Sequence, residues 1–195
     1  QDPKVSSRWA GGRPLLKPAD QGLDSSRVVR EHEVETLACG LVSVMGGKWT
    51  TCRPMAEDTL TALEHQLSAP LPKPQSLPLL GTAANPVHTI TELRQQALVL
   101  EGLLPDTPER AKQVLHLQHN FGLCAEAVVA KAPMEAREPL SSVIPICRAE
   151  IQHAIHNEHA RCSDDVLSRR CRLAMVDAAE AQRLSPLVNN ELEQM

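Results

Sequence analysis

Aromatic residues are nearly absent from this chain of 195 residues, and neither sign of charge dominates it. The aromatic side chains are Trp9, Trp49 and Phe121, with no tyrosine, which argues against platforms on which nucleic-acid bases stack. The 20 lysines and arginines are balanced by 24 aspartates and glutamates, for a net charge of −4. Because no basic stripe is present either, we expect no nucleic-acid partner.

Closely spaced cysteine pairs and long apolar runs are also missing. The six cysteines lie far apart, without a C-x-x-C pair, so we interpret them as reduced thiols rather than as a disulfide framework. No apolar run approaches the length that a membrane-spanning helix needs. The sequence therefore predicts a cytoplasmic protein that is soluble, or at most peripheral on the inner or cytoplasmic membrane.

The first third of the chain predicts a short strand followed by a helix. Residues 41–45 are mostly apolar and include two β-branched valines, as is typical of a strand. The apolar spacing then becomes helical, at Met55, Leu60, Leu63 and Leu67. Proline is tolerated only in the first turn of a helix, so Pro54 makes Thr50 or Thr51 the predicted N-cap.

A proline-rich stretch, residues 68–85, separates this part from a second part that is helical throughout. We predict a linker at 68–85 and a bundle of helices over 86–195. Thr89 or Thr91 is the expected cap of its first helix, and Gly122 the expected end of its second. The last apolar pattern, "SDDVLSRRCRLAMVDAAEAQRL", predicts one long helix capped by Ser163. The fold class is therefore mainly α.

Two clusters of polar residues in the helical part each allow two interpretations. His153, His156 and His159 recur every third residue; three such residues drift around a helix, so we favour a solvated face over a metal site. The basic cluster "RRCR" at 169–172 could contact anionic lipid. We favour ion pairs with the nearby aspartates, Asp164, Asp165 and Asp177.

The segment "VSVMGGKWTT" raises a question of chemistry. A strand that ends on Gly46 and Gly47 and turns into a helix beginning near Lys48 can hold an electron-rich group, because helix N-termini are electropositive. The alternative is an ordinary strand-to-helix turn with a surface lysine. Upstream, the glycine pair and the proline of "WAGGRPLL" predict a turn that presents Arg13.

Four ordered segments resemble one family. "GGKWTTCRPMAED" is similar to the G-G-K-x-T-T-Y-R-x-M-A-E-D segment of FAD-dependent glycerol-3-phosphate dehydrogenases and α-glycerophosphate oxidases. "WAGGRPLL" and "RVVREHEVE" resemble the segments that precede it in that family, and the chain's "AEIQHAIHNEHARCSDDVLSRRCRLA" resembles the family's C-terminal tail. Departures occur at Gly12, Cys52 and Pro54, where the family pattern usually carries other residues.

The resemblance also indicates what this sequence lacks. Family members carry a G-x-G-x-x-G strand–turn–helix unit that binds the ADP half of FAD, and no such motif occurs here. The resemblance therefore implies the C-terminal portion of such an enzyme. Residues 1–67 would end an α/β flavin and substrate domain with its last strand, turn and helix, and residues 86–195 would form the family's helical domain.

The resemblance assigns roles to individual residues. It implies that Gly46, Gly47, Lys48, Trp49, Thr50 and Thr51 contact FAD, and that Lys48 and Arg13 act on glycerol 3-phosphate, with Arg13 binding the phosphate. The implied reaction yields dihydroxyacetone phosphate, with hydride passing to FAD and electrons to quinone or, in the oxidases, to oxygen. The implied partners are the N-terminal FAD-binding portion and the quinone. A peripheral membrane contact and a homodimer stay open, as does the alternative of a stand-alone helical interaction domain or an inactive fragment.

Overall fold

The computed structural model describes residues 4–12, 31–72, 75 and 77–194. The chain forms two compact units: Ala10–Ser76, here called the strand–helix unit, and Leu77–Met195 with Gln1–Trp9, here called the helical unit. Their division falls inside the predicted linker. The expectation of a mainly helical protein with a short strand–turn–helix before the bundle is confirmed.

The strand–helix unit consists of a two-stranded antiparallel sheet and one long helix. Strand β1, His32–Thr36, pairs with β2, Val42–Gly46, in a register that places His32 opposite Gly46. A short 3₁₀ turn, Trp49–Thr51, leads directly into helix α1, Cys52–Leu67. The predicted strand and helix are both confirmed, and Pro54 lies in the first turn of α1, where its missing N–H removes no helical hydrogen bond.

This unit has no buried core within its described residues. No residue of β1, β2 or α1 is buried. A two-stranded hairpin is marginally stable at best in water, and here its helix covers it without burying any described residue. Val44, Met45 and Trp49 stay exposed although they are large and apolar.

The helical unit contains the remaining helices. Within the described residues they are α2 (Thr89–Leu103), α3 (Arg110–Phe121), α4 (Ala125–Val129), α5 (Met134–Arg137), α6 (Arg148–Glu158), α7 (Leu173–Val176) and α8 (Ala178–Glu193), with 3₁₀ turns at Pro86–His88 and Gly122–Cys124 and a π-helical turn at Asp165–Arg170. No helix of the described ranges is long and apolar enough to cross a membrane.

Two apolar clusters form the core of the helical unit. One is built around α6, the π turn and α8, with Ile151 and Leu173 fully buried. The other joins α2, α3 and α4 through Leu100 and Leu117. Each fully buried side chain of this size contributes roughly 1.5–3 kcal/mol to folding. Burial also raises the pKa of the Cys147 thiol to about 12, and all six cysteines are free.

Gly122 ends α3 as predicted, and it does so where two backbone segments cross. Its φ of +55° is in the left-handed region, and a Cβ at this position would collide with the backbone of Gly81. The amide of Leu123 donates to the Gly81 carbonyl at 2.8 Å. Glycine is therefore required both for the backbone conformation and for the close approach.

The long helix predicted over "SDDVLSRRCRLAMVDAAEAQRL" is wrong, because this segment is broken twice. The amide of Cys171 donates to the Val166 carbonyl, five residues back, which closes a π turn. Arg172 then adopts a left-handed conformation, with φ +61°. Asp177 then caps the next helix, α8, because its side chain accepts a hydrogen bond from the Glu180 amide at 3.0 Å.

The predicted caps of the first and last helical segments are also wrong. Asn85 accepts from the Val87 amide and begins the turn that precedes α2, while Thr89 Oγ1 accepts from the Ala83 amide. Near the last segment, Asp165 accepts from the amides of Arg161 and Cys162. The local sequence does not show which of these short polar residues caps a helix, since each of them can do so.

Candidate functional site

The turn between β2 and α1 depends on two glycines. Gly46 and Gly47 have φ values of +74° and +83°, which strain residues that carry a Cβ. A Cβ on Gly47 would also collide with the side chain of Met55 and lie 3.2 Å from His32 Cβ. The Gly47 amide donates to the Glu31 carbonyl at 3.1 Å. The glycines therefore allow the chain to turn sharply while Met55 packs directly beneath.

A polar contact ties the same turn to the helix. His32, opposite Gly46 in the sheet register, places Nε2 2.7 Å from Asp58 Oδ2 of α1. The His32 side chain is 18% exposed, so part of this contact is shielded from water. One side chain thus links β1, the glycine turn and the second turn of α1.

The start of the helix leaves two backbone donors without an acceptor among the described residues. Thr51 Oγ1 donates to the Lys48 carbonyl at 3.0 Å and accepts from the Lys48 amide at 3.2 Å, and the Thr51 amide also donates to the Lys48 carbonyl. The amides of Trp49 and Thr50 have no such partner in this part of the chain. They are the electropositive N–H groups that every helix start presents.

A groove of about 700 Å³ opens beside this helix start, entirely within the strand–helix unit. Its walls are mostly apolar, from Val44, Met55, Ala56 and Leu60, and Gly47 and Lys48 lie along it. Lys48 is exposed and makes no ion pair within the described residues. A groove of this size, lined mostly by apolar side chains with Lys48 and the glycine turn beside them, suits a flat, largely apolar group with one electron-rich edge.

The chain brings six of the predicted site residues, Gly46 to Thr51, into one continuous turn. Trp49 is 90% exposed, so it contributes no packing to this unit. Arg13 lies outside the described residues, and its predicted role is neither supported nor opposed by the structure. Of the two cations predicted for the site, Lys48 is therefore the one whose surroundings the structure describes.

Sequence reasoning missed the residues that support this turn, namely His32, Met55 and Asp58. Their signal was present in the strand register, which places His32 beside the glycines, and in the helical spacing of Met55 and Asp58. These patterns show that the three residues contact the turn only when the packing of the helix on the sheet is known.

The other polar clusters form contacts within the helical unit. Arg169 pairs with Asp165 at 3.1 Å, as predicted, whereas Arg170 pairs with Glu158 at 2.9 Å. The remaining two predicted partners, Asp164 and Asp177, accept from Ser168 Oγ and the Glu180 amide instead.

The three histidines have separate surroundings. His153 stacks edge-on against Phe121 at 5.3 Å, and His159 ends α6 in a left-handed conformation. Within the described ranges no group of three or more His, Cys, Asp or Glu side chains is arranged to hold a metal.

Comparison with known proteins identifies similar sequences. Residues 73–195 match the family described as the C-terminal domain of alpha-glycerophosphate oxidase. A mitochondrial glycerol-3-phosphate dehydrogenase of Arabidopsis thaliana is 32% identical over 192 residues, which cover 92% of this chain and 30% of the plant protein. Glycerol-3-phosphate dehydrogenase 1 of Mycobacterium tuberculosis is 34% identical, over 88% of this chain and 31% of its own length.

The human mitochondrial glycerol-3-phosphate dehydrogenase is 30% identical over 193 residues, covering 94% of this chain. This chain spans 25% of that protein. It therefore spans about a third or less of the length of each of these relatives.

Proposed function

This chain belongs to the family of alpha-glycerophosphate oxidase and the glycerol-3-phosphate dehydrogenases, and from that premise we propose that it is the C-terminal part of a flavin-dependent glycerol-3-phosphate dehydrogenase. The proposed reaction oxidises sn-glycerol 3-phosphate to dihydroxyacetone phosphate, with quinone as the electron acceptor. The observation that carries the proposal is the helix start at Trp49 and Thr50, whose amides have no acceptor in the described chain and beside which Lys48 and Trp49 line an apolar groove.

The residues of this turn fit the ring system of FAD. The groove supplies an apolar surface for a flat ring, and the two amides supply donors for its electron-rich edge. When bound, the flavin would accept a hydride from C2 of the substrate. The helix N-terminus and the Trp49 and Thr50 amides would stabilise the negative charge that develops as the hydride is accepted.

The two cations would hold the substrate. Lys48 would place a positive charge next to the ring and the substrate, because it is exposed and lines the groove. Arg13 would bind the phosphate, since a guanidinium can pair with two phosphate oxygens at once. Together they would orient the C2–H bond of the substrate toward the acceptor. Correct orientation of the reacting bond strongly raises the rate of the chemical step.

We propose that the strand–helix unit is completed by the N-terminal FAD-binding portion of the same enzyme. Support comes from the absence of buried residues in β1, β2 and α1 and from the open apolar groove. The proposed location is cytoplasmic, with a peripheral contact to the membrane that holds the quinone; a homodimer belongs to the same proposal.

Substitutions at Arg13 and Lys48 in the complete enzyme test this assignment. Arg13→Lys removes the bidentate phosphate contact and should raise the KM for glycerol 3-phosphate about tenfold or more. Lys48→Met should lower kcat/KM by a similar or larger factor while flavin is retained. Lys131→Met, an exposed lysine of the helical unit, is the matched control and should leave both constants unchanged. Wild-type values of KM and kcat/KM in both site variants would show that neither residue belongs to the substrate site.

One observation favours the alternative of a helical domain that acts without flavin. The helical unit has two buried apolar clusters of its own, so its packing does not depend on the groove. If the purified chain binds a protein partner but gives no activity with any flavin-binding portion, the interaction function is the better description.

A further inference from the structure

A second cavity, of about 210 Å³, lies inside the helical unit between α3, α6 and the π turn. It is far from the glycine turn in sequence, and the proposed flavin chemistry does not use it. Its lining includes the apolar residues Ile146, Ala154 and Val166 and the charged residues Glu150, Glu158, Arg170 and Arg172. An interior with this mixture of groups differs from a simple packing defect, which would be lined by apolar atoms.

Most of these charges are already satisfied. Glu150 is 4% exposed; its Oε2 lies 2.7 Å from His116 Nε2, and its Oε1 accepts from the Cys147 amide at 3.1 Å. Arg170 donates to Glu158 and to the Asp165 carbonyl. These bonds fix the walls of the cavity and hold the π turn in place.

Arg172 differs from these residues in both backbone and side chain. Its φ of +61° is in the left-handed region, which is costly for a residue with a Cβ and is normally occupied by glycine or asparagine. The residue is exposed, and its guanidinium has no hydrogen-bond or ion-pair partner among the residues that the structure describes. It lies two residues after the end of a π turn, a feature that often marks functional sites.

Neither folding nor internal pairing therefore accounts for an arginine at this position. Backbone strain that persists at a cavity wall is commonly retained because the side chain serves a function. An unpaired guanidinium has five donors in a planar fork, which match the oxygens of a carboxylate or a phosphate.

We propose that this cavity binds a small organic oxyanion, with its carboxylate or phosphate group on Arg172. The ligand must be small, because the volume is below the roughly 300–1,000 Å³ of pockets for drug-sized molecules. The apolar part of the lining and the buried Glu150 carboxylate disfavour a negative charge beside them. The anionic group therefore faces Arg172, with His119 as a further polar residue of the lining, and the uncharged part of the ligand enters the cavity.

The test separates binding from stability by replacing Arg172 with residues that suit its backbone. Arg172→Gly and Arg172→Asn should leave the fold intact, and Arg172→Gly should unfold at an equal or higher temperature than wild type. Both variants should bind oxyanions at least tenfold more weakly. Arg169→Asn is the matched control, since Arg169 is exposed, pairs with Asp165 and does not line the cavity.

Binding is measured on the purified full chain by titration calorimetry and thermal unfolding. The probes are sodium phosphate and sodium acetate, each compared with sodium chloride at equal ionic strength. Phosphate stabilises many proteins without a site, and this general effect would be equal in wild type and variants. We expect saturable binding of at least one probe to wild type and to Arg169→Asn, and its loss in both Arg172 variants. Phosphate alone would indicate a phosphate ester as the natural ligand, and acetate alone a carboxylic acid.

Two results would overturn the proposal. One is the absence of saturable binding of either probe to wild type. The other is binding that the Arg172 variants retain, or that Arg169→Asn loses to the same extent, because a site on Arg172 predicts neither. The titration involves no flavin and no turnover, so failure here is distinguishable from failure of the proposed dehydrogenase function.

Discussion

At the scale of single residues, Gly47 carries the most constraint in the candidate flavin site. Its φ of +83° and the proximity of Met55 both exclude a side chain. The family resemblance alone suggests that glycine is needed so that the ring can approach. The structure adds a second reason, because Met55 Cε would lie 2.8 Å from the added Cβ.

In the complete enzyme, Gly47→Ala should lower the free energy of unfolding of the domain that contains the glycine turn by about 1–2 kcal/mol from backbone strain alone, plus the cost of displacing Met55. Denaturant titration of the complete enzyme, followed by circular dichroism and by release of bound flavin, measures this change. Gly47→Ala combined with Met55→Ala should remove the steric part of the change as judged against Met55→Ala alone.

Gly11→Ala is the matched control for this experiment. Gly11 has no atom within 4 Å of an added Cβ and no positive φ, so its free energy of unfolding should change by less than about 0.5 kcal/mol. Equal effects at the two glycines would show that neither the backbone conformation of Gly47 nor the proximity of Met55 constrains the turn.

At the scale of elements, α8 is attached to the loop between α5 and α6 through a charged pair. Glu180 contacts Arg183 at 2.7 Å, and Arg183 also donates to the Leu140 carbonyl. Hydrogen bonds from Arg183 and from Ser141 lower the pKa of Glu180 from its ordinary value of 4.5 to about 2. The carboxylate therefore favours the folded state as long as it is ionised.

The sign of the pH dependence follows from this lowered pKa. The stabilisation is complete above the unfolded pKa of 4.5 and is lost as the pH falls toward about 2. Glu180→Gln should be less stable than wild type at pH 6, by about 0.2–1 kcal/mol as for other surface pairs. The difference should disappear near pH 2. Denaturant unfolding at both pH values measures it, with Glu101→Gln, an exposed glutamate without an ion pair in the described chain, as the control.

A difference between wild type and Glu180→Gln that stays constant from pH 6 to pH 2 would contradict this account. The contact would then stabilise α8 through its shape or its uncharged hydrogen bonds, and not through the ionised carboxylate.

The sequence predicted the elements whose signals are local. Glycine, proline and apolar spacing correctly gave β2, the start of α1 near Thr51 and the end of α3 at Gly122. The turn of the candidate site belongs to this group, since all six of its predicted residues are contiguous. Local signals of this kind depend on φ and on hydrogen bonds within one turn.

The features that could not be predicted depend on contacts between elements. The break at Arg172 is one case, because the apolar pattern of "SDDVLSRRCRLAMV" continues through it. The break follows the π turn, and this turn is held by an ion pair between Arg170 and Glu158 of α6. The support of the glycine turn by His32 and Asp58 is another case, since these residues are 26 positions apart.

At the scale of the whole molecule, the two units differ in how complete they are. The helical unit buries two apolar clusters, whereas no described residue of β1, β2 or α1 is buried. We therefore expect the helical unit to fold by itself and the strand–helix unit to require the rest of a flavin domain. The chain's coverage of about a third or less of its relatives agrees with this division.

Flavin reconstitution tests the central proposal most directly. The chain is purified alone and after co-expression with the N-terminal portion of a relative such as the Mycobacterium tuberculosis dehydrogenase, and the absorbance of bound flavin is recorded before and after glycerol 3-phosphate is added. We predict flavin absorbance and its bleaching by glycerol 3-phosphate in the co-expressed pair, and neither in the chain alone. A co-expressed pair that associates yet holds no flavin, or holds flavin that the substrate does not bleach, would contradict the proposed function.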